Sequence, residues 1–259
     1  MVTRSSAAPA LESHPPRQHE YLLREDEMGD SVAQTVLLTY LGAVLAHLYR
    51  HTGWFVARNL SFYHPAVRNN QNLISPDIAV FVGLALPPQE QRRVTSWEMR
   101  PAHSQRVRPA PTVVFEVSSG STWKTDIAPG EEHKPWLYGQ MGVREYFAYD
   151  PNDPPVWRTS QRQRQRLDRR LLGWRYDAGG QPVALEPDEE GRLWSAALES
   201  WLVPDEDLLR LYDATGALHL TPDEAAAAQA ESERRARLQA EQRVAALEAE
   251  LRRLRGVDK

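Results

Sequence analysis

From Asp30 the apolar positions fall into a helical rhythm, with Val32, Val36, Leu37, Tyr40, Leu41, Val44, Leu45 and Leu48 recurring at spacings of three and four. That is the period of one buried helix face. Asp30 or Ser31 supplies the N-cap and Gly53 ends the segment. WFVARNLSF, which follows, reads as one strand or two. ISPDIAVFVG is a short apolar strand begun through Pro76 and Asp77 and stopped by Gly83. Residues 84–111 mix prolines and charges without a period and predict an irregular excursion. PTVVFEV is a second buried strand, broken by the Ser118-Ser119-Gly120-Ser121 turn. A helical segment around 132–141 closes at Gly142, and Val143–Tyr149 forms a third strand that stops at Asp150-Pro151. Between 155 and 203, RRLLGWRY, QPVALEP and RLWSAAL read as further strands separated by Gly and Pro.

The order helix, strands, helix, strand predicts an α/β (α+β) fold with a mixed central sheet. Three regions follow from the same pattern. Residues 1–27 are a polar, proline-containing, flexible lead-in, and 28–220 make the folded domain. Residues 221–259 are a charged helical tail of Ala, Glu, Arg and Leu. In the tail Val244, Leu247, Leu251 and Leu254 fit a coiled-coil seam, but the earlier turns would set Ala240, Arg237 and Glu233 on it. A single solvated helix and a coiled-coil homodimer both fit that pattern.

Composition narrows the function classes. The 259 residues are 41% hydrophobic, enough for a core, and 19 prolines with a mean hydropathy of −0.57 imply ample loop and solvated surface. No apolar run reaches the roughly 18 residues of a membrane span, and the N-terminus lacks the apolar stretch of a secretory signal. Cysteine is absent, so disulfides and thiolate metal sites are excluded and a cytoplasmic setting is expected. The net charge of −4 means that contact with nucleic acid needs a local basic face. Arg162, Arg164 and Arg166, inside the basic stretch from Arg158 to Arg170, would share one face of an extended segment and reach phosphates. A solvated loop is the plainer reading of the same arginines. Trp123 and Trp136 flank the second strand and its helix, where they either stack on a base or pack in the core.

The chemistry lies at strand ends. Asp77 opens one strand, Glu116 stands near the end of the next, and Asp126 and Lys134 follow. Glu116 is flanked by Val-Val-Phe and Val, where a carboxylate is costly unless it meets a cation. Carboxylates on adjacent strands can hold Mg²⁺, which takes oxygen ligands and keeps several waters. A buried salt bridge with an arginine is the alternative. Lysine occurs only at Lys124, Lys134 and Lys259 among 31 basic residues. An amine, unlike a guanidinium, can be tuned for acid–base work. His47 and His51 stand four apart but have no third zinc ligand, no Gly-rich phosphate loop is present, and Ser118, Ser119 and Ser121 lack a nucleophile elbow.

Five motifs follow in order: Ser-Pro-Asp-Ile-Ala-Val-Phe, Val-Val-Phe-Glu-Val-Ser-Ser-Gly-Ser-Thr, Asp126, Lys134 with Tyr138 four residues on, and Gly-Val-Arg-Glu-Tyr ending at Asp-Pro. Together they resemble the Uma-two-type restriction endonucleases of the PD-(D/E)XK nuclease superfamily. The resemblance implies a restriction-endonuclease-like mixed sheet flanked by helices and an Mg²⁺-dependent DNA endonuclease, with Mn²⁺ as a substitute. It puts the metal on Asp77 and Glu116 with the Val117 carbonyl, and the catalytic amine on Lys134. The usual superfamily lysine position falls on Ser118. Lys124, Asp126, Ser118 and Tyr138 are secondary candidates, and Lys124 is the reserve amine. The rival expectation is an inactive nuclease-fold module that binds DNA, or binds a protein through its tail.

Overall fold

The computed structural model describes residues 32–67, 73–84, 86–99, 108–159 and 168–257. The lead-in at 1–27 and the cap candidates Asp30 and Ser31 lie outside the described residues. In chain order the elements begin with α1 (Val32–Leu48), β1 (Phe55–Arg58), β2 (Ser61–Tyr63), β3 (Ile78–Phe81), α2 (Pro88–Gln91) and β4 (Ser96–Glu98). Then come β5 (Val113–Val117), α3 (Trp123–Ile127), α4 (Lys134–Met141), β6 (Glu145–Tyr149) and β7 (Leu171–Tyr176). The last are β8 (Pro182–Ala184), β9 (Leu193–Ser195), β10 (Ser200–Asp205), β11 (Leu208–Tyr212) and α5 (Pro222–Val257).

Six strands form the central sheet in the order β1-β3-β5-β6-β7-β8. Only β5 and β6 pair in parallel, because the chain between them crosses over through α3 and α4, while the other neighbours run antiparallel. The fold is therefore mixed α/β with helices against the sheet and a long C-terminal helix, as expected from the pattern.

Strand alternation sorts the core onto two faces. Ile78, Val80, Val113, Phe115, Val117 and Phe147 meet Leu37, Leu41, Val44 and Leu45 of α1 together with the small sheet β11-β10-β9. Ala79, Phe81, Val114, Tyr146 and Ala148 meet Tyr138 and Met141 of α4 on the opposite face. Burial of this kind contributes about 25 cal/mol per Å² of apolar surface. Glu116 shares the parity of Val114, so it faces α4.

Several expectations shift. The helix α1 ends at Leu48, and Gly53, at φ 68°, closes the turns after it. Val32 and Val36 are 83% and 52% exposed, whereas Gln34, Leu38 and Gly42 take buried places, so the buried stripe is rotated from the one read in the valines. The excursion at 84–111 contains α2 and β4, the latter paired with β2. The hairpin β10–β11 extends the strand region to Tyr212. The tail is a 36-residue helix with Val244, Leu247, Leu251 and Leu254 each about half exposed. No helix among the described residues is long and apolar enough to cross a membrane.

Candidate active site

The antiparallel register pairs Ile78 with Phe115, and extending it by one residue sets Asp77 opposite Glu116 on the α4 face. Asp77 Oδ2 accepts the Val117 N–H at 2.7 Å, which fixes the carboxylate beside the end of β5. On the other side stands α4, whose first residue is Lys134. The N-cap His133 is extended (φ −106°, ψ 153°), so the chain turns into the helix just before Lys134 and Pro135 occupies the first turn, where its missing N–H costs nothing. Lys134 and Tyr138 are one helical turn apart and share the face that looks onto β5.

The four-residue spacing has a direct consequence. Lys134 Nζ lies 3.0 Å from Glu116 Oε1 and 2.8 Å from Asp126 Oδ1. The Tyr138 hydroxyl donates to the same Glu116 oxygen. Asp126, on the short helix α3, accepts a hydrogen bond from Ser118 Oγ at 2.8 Å through its other oxygen. Tyr146 of β6 donates its hydroxyl to the Asp126 carbonyl at 2.8 Å and so ties α3 to the sheet. Glu116 and Asp126 are 3% and 1% exposed, whereas Lys134 keeps 20% of its side chain open to solvent.

Glu116 and Asp126 share one amine, that of Lys134. Burial, opposed by Lys134 and reinforced by Asp77 and Asp126, pushes the Glu116 carboxyl up to about 8. Burial pulls the Lys134 amine down, but its two carboxylate partners outweigh that and hold it above its ordinary value. Burial, then Glu116, drives the Tyr138 hydroxyl well up. Lys134 is therefore a fixed cation and Tyr138 a fixed proton donor, while Glu116 carries a proton that a further cation would displace.

A second buried glutamate shows the ordinary outcome. Glu145, also 3% exposed and also in an apolar strand, lies 3.0 Å from Arg175 Nε and accepts the Ser195 hydroxyl and the Ala196 and Ala197 N–H groups. An arginine and three further donors neutralise and satisfy it. Glu116 has no such arginine among the described residues and instead shares one lysine with Asp126.

The donor set suits a hard divalent cation. Asp77 and Glu116 are oxygen donors on adjacent strands, next to the Val117 main chain. Among the described residues no three His, Cys, Asp or Glu side chains form a metal cage. Mg²⁺ does not need one, since it is usually bound by one or two carboxylates with waters and substrate phosphates.

The other candidates separate. Lys124 is exposed, with Nζ 5.7 Å from the centre of the Trp123 ring, and the structure brings Lys134 rather than Lys124 to the carboxylates. Ser118 is fully buried and serves Asp126. Trp123 and Trp136 are both half-buried. Arg162, Arg164 and Arg166 lie outside the described residues. Arg170 is spent on the Asp150, Pro151 and Glu206 carbonyls and the Tyr149 hydroxyl, a brace between loops. A residue of this cluster that sequence reasoning missed is Tyr146, whose hydroxyl stands on the same face of β6 as Ala148 and toward α3.

A family model described as "Putative restriction endonuclease" (Uma2) matches residues 27–191, well over half of the chain. No curated protein matches. Among solved structures, the crystal structure of a "putative nuclease belonging to DUF820" from Anabaena variabilis is 16% identical over 75% of this chain and 80% of that one. Its TM-score of 0.36 is a loose overlap that shows neither a shared fold nor a shared activity.

Proposed function

The chain belongs to the Uma2 family, and on that premise we propose that it is a divalent-metal-dependent endonuclease that hydrolyses phosphodiester bonds in DNA. The observation that carries the reading is Glu116, a nearly buried carboxyl set opposite Asp77 by the strand register, which shares one lysine with Asp126 and meets no arginine among the described residues. Asp77, Glu116 and the Val117 carbonyl would hold the ion, Mg²⁺ by preference and Mn²⁺ as a substitute. When bound, it supplies charge neutralisation at the phosphoryl group and a more acidic water.

The chain's own groups do the rest. Tyr138 and Lys134 both hold the same Glu116 oxygen, Oε1, on the α4 side, so Oε2 is left to face a ligand. Asp126, fixed by Ser118 and Tyr146, holds the Lys134 amine at 2.8 Å. Because that amine stays protonated, its role is to neutralise charge that builds on the phosphate in the transition state and to orient the attacking water. It does not abstract a proton from that water. Removing one such preorganised donor typically costs about 10²–10³ in rate. The non-catalytic alternative would have been favoured by a Glu116 locked to arginine, an arrangement that Glu145 has and Glu116 lacks.

Two-strand cutting would use two sites, and the helix α5 offers a route to a homodimer. With Val244 and Leu251 at one seam position and Leu247 and Leu254 at the other, Arg243 faces the partner's Glu248 and Glu250 faces the partner's Arg255 in a parallel pair. The reading is tested by titrating Mn²⁺ into the protein by calorimetry. Wild type takes up the ion, and Asp77→Asn and Glu116→Gln do not. Equal uptake by all three contradicts the assignment.

A further inference from the structure

Beside the carboxylate cluster, α3 and the start of α4 form a groove with β7 and β8, with a volume of about 650 Å³. We propose that this groove seats an unpaired nucleobase of the nucleic-acid substrate, next to the phosphate that is cut. The ligand class rests on the nuclease reading; the groove's shape and chemistry do not.

Position comes first. Ile127 and Pro135 line the groove, and each is the chain neighbour of a cluster residue, Asp126 and Lys134. The groove wall therefore adjoins, along the chain, the residues that place the Lys134 amine.

The lining matches a base on two counts. Its walls are apolar and aromatic, with Trp123 on one side and Trp174 and Leu185 on the other. Trp174 is a fixed platform because it stacks on Tyr146 at 5.2 Å and 17°, and Tyr146 is itself anchored to α3. A stacking base needs such a rigid aromatic face, and every base has a π-face to offer. The rim carries exposed Arg169, 3.9 Å from Glu186, and exposed Lys124, an amine that a sugar–phosphate backbone complements. An apolar protein side chain would fill the walls but leave the Lys124 amine at the rim without an anion. A paired base enters only after it has been unstacked and unpaired, at an energetic cost that an unpaired base avoids, so the groove favours unpaired nucleotides.

The test reads binding in EDTA, without turnover, as fluorescence anisotropy of three labelled DNAs: a single strand, a duplex with one bulged base, and a fully paired duplex. At least one of the two unpaired ligands should bind roughly 10-fold tighter than the paired one. A preference for the bulge over the single strand would identify an extrahelical base, and the reverse a single-stranded segment. Trp123→Ala should weaken binding of the preferred ligand by roughly 5- to 150-fold, with little change for the paired duplex, while Trp123→Phe retains most of it. Ala128→Trp, which fills the groove from its own wall, should reproduce the loss without removing a stacking ring. Lys124→Glu should weaken all three ligands alike, as a phosphate contact does. No preference for unpaired DNA, or unchanged binding by both Trp123→Ala and Ala128→Trp, overturns the groove. If the selective binding holds but no metal supports cleavage, the nuclease reading fails and the groove stands. If cleavage occurs without selective binding, the reverse is true.

Discussion

Replacing Lys134 with methionine keeps the aliphatic stem and the helix propensity of the first α4 residue and removes only the charge. Two nearly buried carboxylates then lose their cation, 3.0 Å from Glu116 and 2.8 Å from Asp126. Breaking a buried ion pair from one side typically costs about 3–5 kcal/mol. Here the loss is smaller at neutral pH. Glu116 titrates at about 8 even with Lys134 present, so it is already mostly protonated at pH 7 and has little charge to strand. Without the amine, which lowers it, that value climbs further. The remaining cost is the Asp126 contact, and the expected destabilisation at pH 7 is about 2–4 kcal/mol. It should grow as pH rises past 8, where wild type ionises Glu116 against Lys134 and the variant cannot. Urea unfolding of both proteins in EDTA at about pH 7 and about pH 9 measures this. A variant as stable as wild type at both pH values would show that the amine is not seated between the carboxylates.

Three other outcomes follow from the same geometry. Gly139→Ala would set its Cβ 2.1 Å from the Gly180 carbonyl oxygen and 2.6 Å from the Tyr176 ring, so α4 must shift. A loss of at least about 3 kcal/mol in chemical unfolding, together with loss of the Lys134 alignment, is expected. Glu145→Gln breaks the contact with Arg175 and weakens those with Ser195 and two N–H groups, so it should lower stability by about 2–3 kcal/mol in the same assay while leaving Mn²⁺ affinity unchanged. The metal-free protein should lose stability as pH rises from about 7 to about 9. The folded-state value of Glu116 is raised, from about 4.5 to about 8, so its contribution is full below the unfolded value and disappears as pH passes through the folded one. Thermal unfolding in EDTA should show this fall, Mg²⁺ should reduce it, and a rising or flat profile would contradict the buried protonated carboxyl.

Much of this was legible in the residues, for identifiable reasons. β3, β5 and β6 are four- or five-residue apolar runs closed by Gly, Ser or Asp-Pro, and strands buried on both faces read that way. Glu116 stood out because a carboxylate in such a run needs a partner, but the same argument points equally to Glu145. Only tertiary contacts separate a glutamate that β7 and the β9 end satisfy from one left facing other acids. Pro135 made the aim of Lys134 hard to read, because a residue before proline resists the α region. The extended His133 takes that turn one residue earlier. Residue patterning hid α3 because a five-residue helix has no room for a period. It misjudged Val32 and Val36 because valine is equally compatible with a helix flank and a helix core. The β10–β11 hairpin was missed although Leu209 and Leu211 alternate with half-exposed residues, since the intervening Pro204 and acidic turn suggested an end to the strands.

The central claim is that Asp77 and Glu116 present a divalent ion to a phosphodiester while Lys134 supplies a fixed positive charge. The most direct test is cleavage of supercoiled plasmid with Mg²⁺ or Mn²⁺ by wild type, Asp77→Ala and Lys134→Ala, each first shown to be folded. The account predicts metal-dependent nicking by wild type, none by Asp77→Ala, and a rate lower by about 10²–10³ in Lys134→Ala. Equal cleavage by all three proteins, or cleavage by wild type that persists in EDTA, would contradict it.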